Sequence, residues 1–303
     1  MPTVLAFGGN ALLPDPKNLS RQEETANAFA GAVRLLMTDD EGMVLVHGNG
    51  PQVGMILLRI EATKDRIPPE TLDVMVAETQ GSIGYLLART LRNRIPKKEI
   101  AAVLTQVTVD PDDPGFSNPS KPVGPFYSYE TAEALKLVHG WRMIETRSQG
   151  WRRLVPSPKP VDIVEIHTIE DAVGHGHLII AGGGGGIPVI RNDDLEGVEA
   201  VIDKDLTACL LAITLRAERF VILTDVPHVS IGFGTNSEKT ISCMDVVTSQ
   251  ELLASGEFPP GSMGPKVEAA SMYAKSTGCP ALITNVERLS DSLKGEAGTW
   301  IEP

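Results

Sequence analysis

Short apolar runs alternate with amphipathic stretches along most of this chain. Thr3 to Phe7 and Met43 to Val46 are long enough for buried strands and too short for helices. Between them Ala26, Phe29, Ala30, Val33 and Met37 recur at helical spacing, and Ser20 with Glu23 predicts a capping box at the start of that helix. A longer helix is predicted at about Pro69 to Asn93, with Leu72, Met75, Val76, Ile83, Leu86 and Leu87 on one side. Ala102 to Val107, Leu178 to Ile180, Phe220 to Leu223 and Ala281 to Thr284 predict further strands, the last one closing the sheet. Helical patterns follow at Leu206, Leu210 and Ile213, near Ser249 to Ala254, and at Val267, Ala270 and Tyr273. Strands alternating with helices imply a parallel sheet with helices on both faces.

The alternation breaks between Asp110 and Pro160. Pro111, Pro114, Pro119, Pro122, Pro125, Pro156, Pro158 and Pro160 crowd this stretch, and proline removes ladder donors, so it is not expected in a central sheet. Phe116, Phe126, Tyr127, Trp141 and Trp151 are too many aromatics for a disordered linker. The stretch also carries Lys121, Arg142, Arg147, Arg152, Arg153 and Lys159. It reads as an ordered excursion from the body of the chain.

The strand ends carry the candidate chemistry. Phe7 runs into Gly8, Gly9 and Asn10; Val46 into His47-Gly48-Asn49-Gly50-Pro51; Ile180 into the five glycines Gly182 to Gly186; and Leu223 into Thr224 and Asp225. Open α/β sheets bind ligands at that edge. Glycine permits φ > 0 and close approach to the backbone, and successive N–H groups in such turns can form anion nests. Lys204, between Asp203 and Asp205, opens a helical pattern whose dipole a lysine opposes, which is odd for stability alone. Gly261 to Lys266 is a second glycine-bounded turn opening a helix, with Pro265 suited to its first turn.

No GxxxxGK[ST] loop, no GxGxxG after a strand, and no HRD or DFG signature is present, so the common nucleotide-binding motifs are excluded. What remains is a set of glycine turns and three placed lysines, Lys121, Lys204 and Lys266. Phosphoryl transfer needs mainly positioning and charge, which such groups supply. Asp205 could hold two lysines in register, and a phosphate-bound Mg²⁺ would add charge. His47 reads as a turn residue or substrate contact, His175 and His177 as a surface turn, Glu196 and Glu199 as a solvated face, and Trp141 and Met143 as packing.

A net charge of −12 argues against nucleic acid or an anionic membrane as partner. The three cysteines lack metal or disulfide spacing, and no stretch approaches a membrane span, which together predict a cytoplasmic protein.

Several of these motifs are long and occur in a fixed order. Gly8 to Leu12, His47 to Gly54, Asn118 to Tyr127, Trp151 to Pro160, the glycine run, Val201 to Leu206 and Gly261 to Val267 resemble the carbamate kinases of the amino acid kinase family. The resemblance implies a three-layer αβα sandwich with a mostly parallel central sheet. It implies one amino acid kinase domain over residues 1–303, with a small protruding subdomain at about 111–160 inserted. The implied activity is reversible: ATP and carbamate give ADP and carbamoyl phosphate, with Mg²⁺, in a homodimer with a place in arginine metabolism. By position, Gly8, Gly9, Asn10, Gly48, Asn49 and Gly50 would cradle the transferring phosphoryl group and carbamate. Lys204 and Lys266 would stabilise its charge, Asp205 would orient them, and Lys121 would reach in from the subdomain. Thr224, Asp225, Met263 and Gly264 would lie on the nucleotide side, with no protein ligands to a metal. After Val226 the chain departs from the family's usual aromatic and asparagine, with Pro227 to Phe233 expected to border the adenine. Two alternatives keep the fold: transfer to another small carboxylate or a phosphonate, and a non-catalytic nucleotide-binding regulator.

Overall fold

The computed structural model describes residues 2–8, 19–37, 40–146, 149–259 and 261–303. Among them, eight strands form the main sheet, in the order Cys243–Asp245, Thr299–Glu302, Ala281–Thr284, Arg219–Leu223, Thr3–Phe7, Met43–His47, Leu178–Ile180 and Ile100–Ala102. From Ala281–Thr284 onward every pairing is parallel, while Thr299–Glu302 runs antiparallel to its neighbour Ala281–Thr284. The final strand Thr299–Glu302 was not among those predicted; the sheet does not close at Thr284.

Alternate strand residues face opposite ways, and here both sides are buried. Leu5, Leu45, Ile180, Val221 and Leu282 pack with residues of the helices Leu19–Leu36 and Leu72–Arg94. Val4, Val44, Ile179, Phe220 and Ile283 pack on the other side with the helices Lys204–Thr214 and Met263–Thr277. Burial on both faces is why these strands read as continuous apolar runs. The architecture is the expected three-layer αβα sandwich with a mostly parallel central sheet.

The apolar stretch read as one strand, Ala102 to Val107, is two. Ile100–Ala102 ends the main sheet, whereas Gln106–Val109 pairs with Ile187–Arg191 and Pro160–Ile163 in a separate four-stranded sheet. Thr105 is the switch point. Its N–H donates to Gln80 Oε1 at 2.7 Å, and its carbonyl accepts from the Ile187 N–H at 2.8 Å. With its backbone groups satisfied this way, the chain leaves one sheet and enters another.

Three local expectations also change. The first helix already includes Leu19, so Ser20 lies inside its first turn instead of capping it; the Ser20 and Glu23 side chains are outside the described ones. A helix not foreseen, Gly50–Thr63, follows directly from the second glycine turn, with Pro51 in its first turn. The helix expected from about Pro69 begins at Leu72, whose N–H donates to Glu199 Oε1 at 2.9 Å. Glu199 therefore satisfies an otherwise orphaned helix donor and is more than a solvated side chain.

Within the proline-dense stretch, Lys121–Tyr127, Gly150–Val155 and Arg142–Thr146 form a three-stranded antiparallel sheet. Ser128 caps the helix Tyr129–His139 through a bond from the Thr131 N–H, and Gly140, at φ 65°, ends it. Val123 and Val155 of the small sheet pack with Val53 and Ile56 of the helix Gly50–Thr63. Trp141 packs against the Arg153 guanidinium, 4.4 Å from the ring centre. No helix among the described residues is long and apolar enough to cross a membrane.

Candidate active site

Four parallel strands end side by side, and their C-terminal turns make one wall of a cleft of about 310 Å³. Phe7 leads to Gly8, His47 to Gly48, Asn49 and Gly50, Ile180 to the glycine run, and Leu223 to Thr224 and Asp225; all four turns supply cleft residues. The opposite wall is drawn from the three-stranded sheet, through Lys121, Pro122, Val123 and Arg152. Gly9 and Asn10 lie outside the described residues.

The three lysines converge. Lys204 Nζ lies 2.5 Å from Asp205 Oδ1, and Lys266 Nζ lies 2.9 Å from Asp205 Oδ2. One carboxylate thus holds two ammonium groups 62 residues apart in sequence in a fixed relation, an arrangement the sequence allowed for Asp205. Lys121 Nζ comes from the small sheet and lies 2.5 Å from Asp203 Oδ2. Asp203 does a second job, because its Oδ1 accepts from the Asp205 N–H at 2.9 Å and so caps the helix Lys204–Thr214. The acid-lysine-acid triplet is therefore a helix cap, a cleft cation and a bridging anion in consecutive positions.

Burial sets the protonation of this cluster. It opposes the charge on Asp205, but Lys204 and Lys266 outweigh it and hold the carboxyl well below the usual carboxylate range. Burial also lowers the Lys204 pKa, and the nearby Lys266 adds to that; the attraction of Asp205 recovers only part. For Lys266, burial is outweighed by Asp205, with Asp203 and Asp225 adding, and its pKa rises. Lys204 is thus the more readily deprotonated of the pair.

The glycine run is a packing requirement before it is a ligand site. Gly182, Gly184, Gly185 and Gly186 all have positive φ, from 63° to 95°. A Cβ on Gly183 would strike the His47 ring, one on Gly184 the Asn49 amide, and one on Gly185 the Ile202 carbonyl. The turn is tied down from three sides: the Gly182 N–H donates to Thr105 Oγ1, Gln80 Nε2 donates to the Gly183 carbonyl, and Thr207 Oγ1 donates to the Gly185 carbonyl. The Gly185 and Gly186 N–H groups close back onto Gly182 and Gly183. Most N–H groups of the run are therefore used internally, and only Gly184 of the five lines the cleft. The run is first a floor, with three of its five N–H groups committed to holding it in place.

His47 is buried beneath this floor, with Nδ1 3.1 Å from the Gly48 carbonyl. Burial lowers its pKa to about 4 despite the Gly48 contact, and Lys204 adds to the depression, so the ring is neutral at neutral pH. Asn49 is fixed by donation from Nδ2 to Thr79 Oγ1 at 2.8 Å. In the last turn, Gly261, Ser262 and Lys266 line the cleft, whereas Met263 packs against the core and Gly264 is buried with its N–H on the Pro259 carbonyl. Those two are set back from the cleft that Thr224 and Asp225 face.

Sequence reasoning missed Asp203 as the partner of Lys121, and Gln80 and Thr105 as the braces of the floor. No local signal marks a contact spanning 82 or 103 residues. Asp203 could have been found from its N-cap position alone, though not its second bond.

Residues 1–285 match the amino acid kinase family. A carbamate kinase from Thermococcus kodakarensis is 43% identical, over 98% of both chains. The chain belongs to the amino acid kinase family. A carbamate kinase from Trichomonas vaginalis is 42% identical over the full length of both chains. Among solved structures, the Giardia lamblia carbamate kinase bound to AMP-PNP superimposes with a TM-score of 0.89 at 36% identity, covering 99% of this chain and 98% of that one. Full-length similarity at this level covers both cleft walls and the small sheet.

Proposed function

We propose that this chain transfers a phosphoryl group reversibly between ATP and carbamate, giving ADP and carbamoyl phosphate. The observation that carries the reading is the Lys204–Asp205–Lys266 bridge at the ends of the sheet's strands. It presents two fixed cations where charge spreads over a transferring phosphoryl group. A carbamate oxygen attacks the γ-phosphorus, and the bond from that phosphorus to the β–γ bridging oxygen breaks, leaving its electron pair on ADP. The nucleophile is already an anion, so no proton must be removed. That fits a site whose buried histidine, His47, is held neutral and away from the cleft surface.

In this reading Lys204 and Lys266 take the developing charge, Asp205 keeps them apart and aimed, and Lys121 closes over the group from the small sheet. The Gly8, Gly48, Asn49 and Gly50 turns bring backbone close to the reacting groups, with Gly9 and Asn10 continuing the first turn. Thr224 and Asp225 face the nucleotide. Met263 and Gly264, set back from the cleft, serve this side by positioning Gly261, Ser262 and Lys266. Asp203 and Asp205 are occupied by lysines, whereas Asp225 forms no ion pair among the described residues. No group of three or more His, Cys, Asp or Glu side chains among those residues could hold a metal ion. This donor set fits a Mg²⁺ carried mainly by phosphate oxygens and water, with Asp225 the nearest protein carboxylate to share it. Such an ion supplies neutralising charge to the phosphates. We read region 111–160 as a subdomain inserted in one kinase unit. The chain is also read as a homodimer, to which the exposed Leu58, Val74 and Tyr85 offer apolar surface.

The test is ATP formation by purified protein from ADP, carbamoyl phosphate and Mg²⁺. Turnover with carbamoyl phosphate well above that with acetyl phosphate supports the reading. Faster turnover with another acyl phosphate moves the acceptor to a different small carboxylate, and nucleotide binding without turnover on any acceptor sinks the catalytic reading.

A further inference from the structure

Four cationic side chains line the cleft, and three of them are matched: Lys121 by Asp203, Lys204 and Lys266 by Asp205. Arg152 is the fourth, and among the described residues it has no carboxylate partner. Its Nε donates to the Gly124 carbonyl at 3.2 Å, and its guanidinium carbon sits 5.3 Å from the centre of the Phe126 ring. These contacts fix the stem and one face of the group and leave both terminal nitrogens without an acceptor among the described residues. Burial lowers its pKa.

The adjacent arginine makes the contrast. Neighbouring residues of a strand face opposite ways, and Arg153 Nη2 reaches Glu199 at 3.4 Å while its guanidinium stacks on Trp141. Arg153 is a satisfied structural residue; Arg152 lines the cleft with no partner for its terminal nitrogens among the described residues. Counting the cleft's charged residues, four cations face Asp203, Asp205 and Asp225, which leaves a local positive excess in a chain of net charge −12. Lys204 and Lys266 share one carboxylate, and among the described residues Arg152 has none.

The type of cation matters. An ammonium is a point charge suited to phosphoryl oxygens, whereas the planar guanidinium fork matches the two coplanar oxygens of a carboxylate. Carbamate is a planar carboxylate. We propose that Arg152 is a specificity-determining residue that holds the acceptor's carboxylate through its two terminal nitrogens, on the wall it shares with Pro122 and Val123, while the lysines manage the phosphoryl group. The proposal rests on the phosphoryl-transfer reading above.

The experiment is steady-state kinetics of Arg152→Met and Arg152→Lys against wild type, with ATP and ammonium carbamate varied separately. Losing a charge-assisted pair raises the KM for carbamate about tenfold to a hundredfold in Arg152→Met, with the KM for ATP essentially unmoved. Arg152→Lys keeps charge and stem but not the fork, so it recovers only part, and added guanidinium ion restores more in the methionine variant than in wild type. If Arg152→Met does not fold, judged by its melting temperature, Arg152→Lys decides on the same KM comparison. An unchanged KM for carbamate in a variant that turns over overturns the inference and leaves the function reading intact. An equal rise in both KM values also overturns it, since that is the signature of a distorted wall. A wild type that turns over no carbamate sinks the reading beneath both.

Discussion

Replacing Asp205 by Asn removes the one charge that Lys204 and Lys266 share while keeping the side chain's shape. The carboxylate is 3% exposed and accepts from Lys204 at 2.5 Å and from Lys266 at 2.9 Å. An amide retains one acceptor oxygen and turns an N–H₂ toward the other ammonium, so one lysine exchanges a partner for a like-signed donor. Breaking a buried ion pair from one side costs about 3–5 kcal/mol, because the remaining charge is left uncompensated. Lys204 relieves part of that by releasing its proton, which burial already favours, so the lower end, about 3 kcal/mol, is the expectation. For a chain of 303 residues the unfolding entropy converts this to a fall in melting temperature of about 5 °C. Turnover falls further, by about a hundredfold to a thousandfold, the usual scale for losing one preorganised charge element of a site. Calorimetry and coupled ATP detection read the two effects independently. A melting temperature within about 1 °C of wild type together with unchanged turnover would refute the bridging role assigned to Asp205.

Other consequences concern the floor, the buried histidine and the small sheet. Gly184→Ala places a Cβ on the Asn49 amide at a φ of 68°, and urea unfolding should show a loss of at least about 1–2 kcal/mol from the left-handed backbone alone, with a raised KM for carbamoyl phosphate as Asn49 turns. His47 has a folded-state pKa of about 4 against an unfolded value of 6.5, so the unfolded chain binds more protons between those values. The resulting stability is fully present above about pH 6.5 and is lost as pH falls toward 4, by about 3 kcal/mol in total; His47→Gln should flatten that part of the pH–stability curve, and an unchanged slope would count against it. Lys121→Ala removes a partly exposed pair with Asp203 and should shift the melting temperature little, the scale for exposed pairs being under about 1 kcal/mol, while turnover drops at least tenfold; a variant of wild-type activity contradicts the role given to Lys121.

The layered fold was readable because the central strands are buried on both faces and announce themselves as apolar runs. The cleft was readable for a related reason: four of those runs stop at glycine or polar turns, and parallel strands bring such ends together. Lys204 and Asp205 stood out because a lysine at a helix start is locally unfavourable. Thr105 did not stand out, since an apolar stretch looks the same whether one strand or two occupy it; only the pairing of Thr105 with Gln80 and Ile187 marks the change of sheet. The helix Gly50–Thr63 was obscured by its own glycines, Gly50 and Gly54, and depends on packing of Val53 and Ile56 against the small sheet. Glu199 looked like a solvated acid because its helix donor is 127 residues away. In each case what the sequence hid was a long-range partner.

The central claim is that Lys204 and Lys266 act on one phosphoryl group from opposite ends of Asp205. A crystal structure with Mg²⁺ and a non-hydrolysable ATP analogue tests it most directly. The account predicts both Nζ atoms within about 3 Å of oxygens on the terminal phosphoryl group, with Asp205 still between them. A terminal phosphoryl group seated elsewhere, with both lysines bound only to Asp205, would contradict it.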